Sequence, residues 1–374
     1  MRSADGAPRP GETLGVEEEF FVIDPATRLP VARADALVDD AGTVGLSAAA
    51  ELTPMQFEVV TPVCRTVPEI ALSLRRQRAL AGRLAANHGL ALAATGTPAL
   101  GTTPPPPVRK GGRYERMADH FGALLDEQGT CGLHVHVGVA DLDLAVRVCT
   151  RLRPSLAILL AISANSPFHA GMDTGHDSWR AVLSSRWPTV TAPPRLLDSA
   201  QYHDEVERLH RYGLASEESG IYWLARPSRR FPTVEVRVAD TQPTVADTLL
   251  LVVVIRALVC EAVMATQRED PFPAHDDTYI RAALWAAARN GLSDTCARTD
   301  PALVTNVEAV ERLVSRLRPH LEENGDWRTV TSLVRRLRHL GGGAHRQRAV
   351  HHRTTSLEAV VDSTLLADEP TDGL

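Results

Sequence analysis

Lysine is almost missing from this chain. Its 374 residues carry 40 basic side chains, and Lys110 is the only lysine among them. That excludes the GxxxxGK[ST] phosphate loop and argues against ATP enzymes that grip phosphates with several lysines. Phosphate contacts must come from arginine, metal and backbone N–H groups. Cysteine is sparse too. Cys64, Cys131, Cys149, Cys260 and Cys296 form no CxxC pair, and their odd number fits reduced thiols in a cytosolic protein. Aromatics make up only 5% and the net charge is −6, with no basic stripe, so nucleic acid is a poor partner. No signal peptide is expected in the polar opening residues. The most apolar run, Leu249 to Ile255, is soon followed by Arg256 and Glu261 and is too short to span a bilayer, so no membrane partner is expected. No Ser/His/Asp or Cys/His pattern suggests a protein nucleophile.

What is present is a repeated strand design. Gly15-Val-Glu-Glu-Glu-Phe20, Leu133-His-Val-His-Val137 and Val234-Glu-Val-Arg-Val238 each place ligating side chains two residues apart. A strand has period two, so Glu17 and Glu19, His134 and His136, and Glu235 and Arg237 should each share a face. Glu18 points the other way and breaks the apolar pattern. A strand from Leu52 to Val60 should add Glu58, with Glu51 beside it. Carboxylates with one or two imidazoles fit Mg²⁺ or Mn²⁺ better than zinc. Arg237 could hold a phosphate oxygen next to them, with Arg226 and Arg180 as further anion clamps.

Helix signals fall elsewhere. Thr66-Val-Pro-Glu69 reads as a capped start of a helix to about His88, ended by Gly89. Asp141 to Ala164 reads as helical with a break at Pro154, and Thr244 as the cap of a helix to about Gln267. Residues 102–112, with Pro104–Pro107, read as a loop, and Asn165 to Arg195 as a long irregular and hence functional segment. Strands precede residue 240 and helices follow it, which favours α+β. Residues 1–12 and 363–374 are expected to be flexible tails around one domain, 13–362.

These motifs together resemble the YbdK-type carboxylate–amine ligases, the glutamate–cysteine ligase type 2 group of the glutamine synthetase-like superfamily. The matching segments are Leu14 to Phe20, Glu51 to Cys64, Cys131 to Gly138, Ala164-Asn-Ser-Pro167 with Ser178-Trp-Arg180, and Arg226 with Thr233 to Asp240. One departure is Gly96-Thr97-Pro98-Ala99, where some members carry Gly-Thr-His-Pro. The resemblance implies a curved antiparallel sheet with helices on its convex face, and ATP and Mg²⁺ as cofactors. It implies metal binding by Glu17, Glu19, Glu51, Glu58, Glu235 and His134 or His136. Glu235 and Arg237 would be catalytic, Arg237 would bind phosphate, and Arg226 or Arg180 would bind the substrate carboxylate. The implied reaction joins glutamate, or a similar amino acid, to an amine such as cysteine through an acyl phosphate. A cytoplasmic homodimer is the implied assembly. The alternatives are a γ-glutamyl ligase for another amine, a metal-dependent amidohydrolase (HxH on a strand, but requiring a (β/α)₈ barrel) and a non-catalytic relative.

Overall fold

The computed structural model describes residues 10–102, 112–125, 129–215, 220–293 and 307–367. The proline run with Lys110, Cys296 and the outer parts of both expected tails lie outside the described residues.

Seven strands form the main sheet: β1 (Leu14–Ile23), β2 (Ala48–Ala50), β3 (Gln56–Val60), β4 (Ala91–Ala93), β5 (Gly132–Gly138), and two that follow a small hairpin. That hairpin is β6 (Phe168–His169) with β7 (Met172–Asp173); the last two sheet strands are β8 (Ala225–Pro227) and β9 (Thr233–Asp240). The order is β2-β3-β1-β5-β9-β8, with β4 also paired to β1, and every pairing is antiparallel. This rules out the amidohydrolase alternative on architecture, since that barrel needs parallel strands. Leu14, Val16, Leu133, Val135, Val137, Val234, Val236 and Val238 turn to one face and enter the main core with helices packed against it. The alternating design of β1, β5 and β9 thus folds as its period dictates.

The helix Val245–Gln267 lies at the centre of that core. It is apolar on every side, which is the pattern of a fully enclosed helix. By length and composition it could cross a membrane, a point the shorter run Leu249 to Ile255 concealed. Here protein covers it: Leu249, Leu251, Val252, Val253, Val254 and Ile255 are all buried.

Glu18, the residue that broke the β1 pattern, enters the same apolar layer and is buried. Its partner is Arg78, on the helix Val67–Asn87, with Nε and Nη2 2.9 and 2.6 Å from the two carboxylate oxygens. Thr248 donates to the same carboxylate at 2.8 Å, and Arg78 also reaches the Gln242 carbonyl at 2.8 Å. Removing one partner of such a pair strands a buried charge. Arg78→Leu is therefore expected to lower unfolding free energy by about 3–5 kcal/mol. Chemical denaturation reads this, and a loss under 1 kcal/mol would contradict the buried pairing.

Several sequence expectations shift. The strand expected from Leu52 begins only at Gln56, because Thr53 and Pro54 form a turn closed by the Gln56 amide on the Thr53 carbonyl. Proline cannot serve an interior ladder. Asn165 to Arg195 is less irregular than expected: it holds the β6–β7 hairpin and the helix Trp179–Ser184. Ordered structure continues past the expected C-terminal boundary at 362. The helix Leu357–Thr364 continues through it, Leu365 bridges Ala93, and the Leu366 amide donates to the Leu92 carbonyl. At the other end the Gly11 amide donates to Gly138, inside the expected tail.

Candidate active site

The second face of β1, β3, β5 and β9 carries the polar pairs. Register decides which of them meet. Glu17 lies opposite His134, Glu19 opposite Glu58, and His136 opposite Glu235. Arg226 on β8 lies opposite Glu235. Residues directly opposite one another on a sheet face are close enough to interact. Glu51 joins from the turn between β2 and β3. All the residues singled out from sequence line one cleft of ≈ 1420 Å³.

Three ligand clusters result: Glu17, His136 and Glu235; Glu17, Glu58 and His134; and Glu19, Glu51 and Glu58. In each, one ligand atom per residue lies within 4.8 Å of the others. His134 Nδ1 is 2.9 Å from Glu17 Oε2, and His136 Nε2 is 3.2 Å from Glu17 Oε1. The two imidazoles thus hold the two oxygens of one carboxylate. His136 Nδ1 is fixed from behind by Thr233 Oγ1 at 3.0 Å. The Gly132 amide donates to Glu19 Oε2 at 2.5 Å.

Charge divides the site. Burial pushes the Glu17 carboxyl up, but hydrogen bonds from His134 and His136 outweigh it and hold Glu17 below the usual range. Burial likewise opposes ionisation of Glu235, yet Arg237 and then Arg226 keep it ionised. Glu19, Glu51 and Glu58 go the other way. Burial raises all three, with Glu51 the next contributor for Glu19 and for Glu58, where Glu17 and Glu19 add further repulsion. A buried carboxylate trio whose members resist ionisation is a donor set that a hard divalent cation completes, and Mg²⁺ chemistry fits it.

Glu235 is held differently. Arg226 Nε and Nη2 reach its two oxygens at 2.9 and 3.2 Å, and Arg237 Nη1 contacts Oε1. Two guanidinium groups therefore compete with any cation for this carboxylate. Arg226 is anchored to the Ile221 carbonyl at 2.5 Å. Arg180, on the helix Trp179–Ser184, reaches the carbonyls of Val238 and Arg237 at 3.4 Å each.

Sequence reasoning missed other residues of the cleft. Trp187, Tyr222, Arg229, Arg230, Arg281 and Trp285 also line the cleft. The Arg229–Arg230 pair just after Arg226-Pro-Ser228 was a readable signal; Arg281 and Trp285 lie on the helix Asp277–Asn290, whose docking against the cleft only the fold reveals, and Trp187 and Tyr222 sit in irregular segments with no periodicity to aim them.

An antiparallel sheet presenting carboxylate and imidazole clusters beside paired arginines is the arrangement that the resemblance to carboxylate–amine ligases implies. The profile described as Glutamate-cysteine ligase family 2(GCS2) matches residues 13–363, and the chain belongs to this family. A chain named "Putative glutamate--cysteine ligase 2-1" from Saccharopolyspora erythraea is 42% identical over 361 residues, covering 96% of this chain and 95% of its own length. "Putative glutamate--cysteine ligase 2-3" of Mycolicibacterium smegmatis is 39% identical over 358 residues, covering 95% and 98%. Among solved structures, the glutamate–cysteine ligase of Francisella tularensis in complex with AMP superposes with a TM-score of 0.70 at 11% identity, covering 96% of this chain and 88% of that one. A bifunctional glutathione synthetase from Pasteurella multocida gives 0.67 at 14% identity over 94% and 51%. Likeness at that identity shows the fold. The chain is an ATP-dependent ligase of the glutamate–cysteine ligase type.

Proposed function

We propose that this ligase joins the γ-carboxylate of glutamate, or of a similar amino acid, to an amine through a γ-glutamyl phosphate. The carrying observation is that two carboxylate–imidazole clusters, a carboxylate trio and Arg237 converge on one sheet face. Glu17, Glu19, Glu51, Glu58, His134, His136 and Glu235 are the residues that would hold Mg²⁺ or Mn²⁺, which supplies charge neutralisation for phosphate oxygens. Because Glu235 is shared by two arginines, its larger contribution is to fix their position. Arg237 donates to the transferring phosphoryl group, and Arg226 or Arg180 receives the amino-acid carboxylate as a planar fork.

In the first step a γ-carboxylate oxygen attacks the γ-phosphorus of ATP and ADP leaves. In the second the amine nitrogen attacks the carbonyl carbon, and inorganic phosphate leaves with the oxygen that came from the carboxylate. The protein contributes positioning and preorganised charge, with no covalent bond to a side chain. Cysteine is one acceptor and other small amines are equal candidates for the same chemistry. The assembly we propose is a cytoplasmic homodimer, which light scattering on the purified protein would test.

An isotope experiment tests the route. Glutamate labelled with ¹⁸O in its γ-carboxylate, incubated with ATP, Mg²⁺ and a panel of amines, should deliver one ¹⁸O to phosphate per amide formed. Amide formation with unlabelled phosphate would remove the acyl phosphate. ADP release without any amide would remove the ligase reading.

A further inference from the structure

Asp240 closes β9 three residues beyond Arg237, and it is completely buried. It lies off the ligand clusters and plays no part in the reaction just described. Its surroundings are unusual for a carboxylate of purely structural use. Oδ2 accepts from the Asn165 amide at 2.9 Å and from Ser166 Oγ at 2.7 Å. Oδ1 accepts from Ser178 Oγ at 2.8 Å and faces Arg180 Nη1 at 3.8 Å. Ser178 is also the N-cap of the helix that carries Arg180, and the Arg180 amide donates to Ser166 Oγ at 3.1 Å. One buried carboxylate therefore fixes the start of this short helix and the charge at the head of its second side chain.

Arg180 is then confined from the other sides. A Cβ at Gly132 would collide with its guanidinium, and a Cβ at Gly96 would collide with the Asp240 carboxylate. Glycine at both positions keeps the pair in close approach. Gly132 is also the residue whose amide holds Glu19. The guanidinium is nearly buried, lines the cleft, and its Nε carries no hydrogen bond among the described residues. A buried, partly unsatisfied guanidinium aimed into a cleft is a receptor for an oxyanion.

We infer that Asp240 is the positioning residue for Arg180, holding it as the receptor for one anionic oxygen group of the co-substrates, either the amino-acid carboxylate or a phosphoryl oxygen of ATP. This rests on the ligase reading above. The shared chemistry is a planar or tetrahedral oxyanion, and separate KM values tell the two sources apart.

Asp240→Asn gives the sharpest test. The amide oxygen can keep the Asn165 and Ser166 contacts, while its NH₂ turns toward Ser178, whose hydroxyl can rotate to accept it, and toward Arg180, where attraction is replaced by donor-against-donor contact. Steady-state ADP release is measured with glutamate and ATP varied in turn. Asp240→Asn is expected to raise KM for one of the two by about tenfold, with kcat changed much less, since a displaced clamp loses binding before chemistry. Arg180→Gln should raise the same KM, and the double variant should be no worse than the worse single. Gln347→Ala is the control: it removes contacts to Asn165 and Thr95 in the same buried network, remote from Arg180. It should lower Tm and leave both KM values unchanged.

Unchanged KM values in Asp240→Asn, or additive effects in the double variant, would overturn the inference. Should Asp240→Asn not fold, Ser166→Ala carries the test, because it removes one of the two hydrogen bonds to Asp240 Oδ2 and the acceptor of the Arg180 amide together; a lowered Tm with unmoved KM values then overturns it. A wild-type protein that releases no ADP with any acid and amine sinks the ligase reading instead, so the two failures are distinct.

Discussion

Arg237→Ala is expected to lower the rate of ADP formation by about 10³-fold, the scale on which arginines act in phosphoryl transfer. The side chain is partly buried in the wall of the cleft, and its pairing with Glu235 outweighs the burial that opposes its charge. It is also one of the groups that favour ionisation of Glu51 and Glu58 against burial and their mutual repulsion. Its loss therefore removes a donor to the phosphoryl group and leaves the carboxylates less compensated. Arg237→Lys keeps a charge but not the fork, and should fall between alanine and wild type. Glu235→Gln should follow the alanine variant, because Arg226 and Arg237 lose the acceptor that aligns them. Steady-state ADP release, with Tm measured alongside, checks the series. Full turnover in both Arg237→Ala and Glu235→Gln would show that the chemistry lies elsewhere.

The second large effect concerns pH and metal together. In metal-free protein, Glu19, Glu51 and Glu58 ionise above the ordinary value of 4.5, chiefly through burial. The folded state therefore keeps protons that the unfolded chain releases near that value. By linkage, the site's contribution to stability falls as pH rises from about 4.5 through the folded values. Glu17 and Glu235 titrate below 4.5, so their stabilisation is complete above it and fades only on acidification. Divalent cations take the ionised carboxylates, so affinity should climb with pH over the same interval. At neutral pH, Mg²⁺ at a hundred times its Kd adds about 2.7 kcal/mol. Tm recorded against pH in chelator and in Mg²⁺ should diverge steadily above pH 4.5. Parallel curves would mean that the trio binds no cation.

Much of this site was legible before any coordinates, for a definite reason. A strand repeats every two residues, so pairs such as His134 and His136 declare a shared face without knowledge of their neighbours. The registry that sets Glu17 against His134 and His136 against Glu235 was not legible, because pairing depends on contacts far apart in sequence. Glu18 was seen as an exception, but its partner Arg78 lies on a helix and only packing brings the two together. Asp240 looked like the end of a strand. Its role needed Ser166, Ser178 and Arg180 to arrive from a segment that carries no periodic signal. The structure beyond residue 362 was not legible because the polar residues after Leu366 masked Thr364, which is buried, and Leu365 and Leu366, which pair with Ala93 and Leu92.

The helix Val245–Gln267 has a consequence for the life of the chain rather than for its chemistry. Its 23 residues pass the length and composition test for a bilayer segment and are shielded only by the finished fold. During synthesis, the strands that cover one side are already complete when this segment emerges, while the helices after residue 277 are still to come. For that interval the cell handles a chain displaying what looks like a membrane anchor. A variant that stalls before the last helices dock presents the same surface permanently, and quality control will meet it in aggregates and membrane fractions rather than as dispersed unfolded protein.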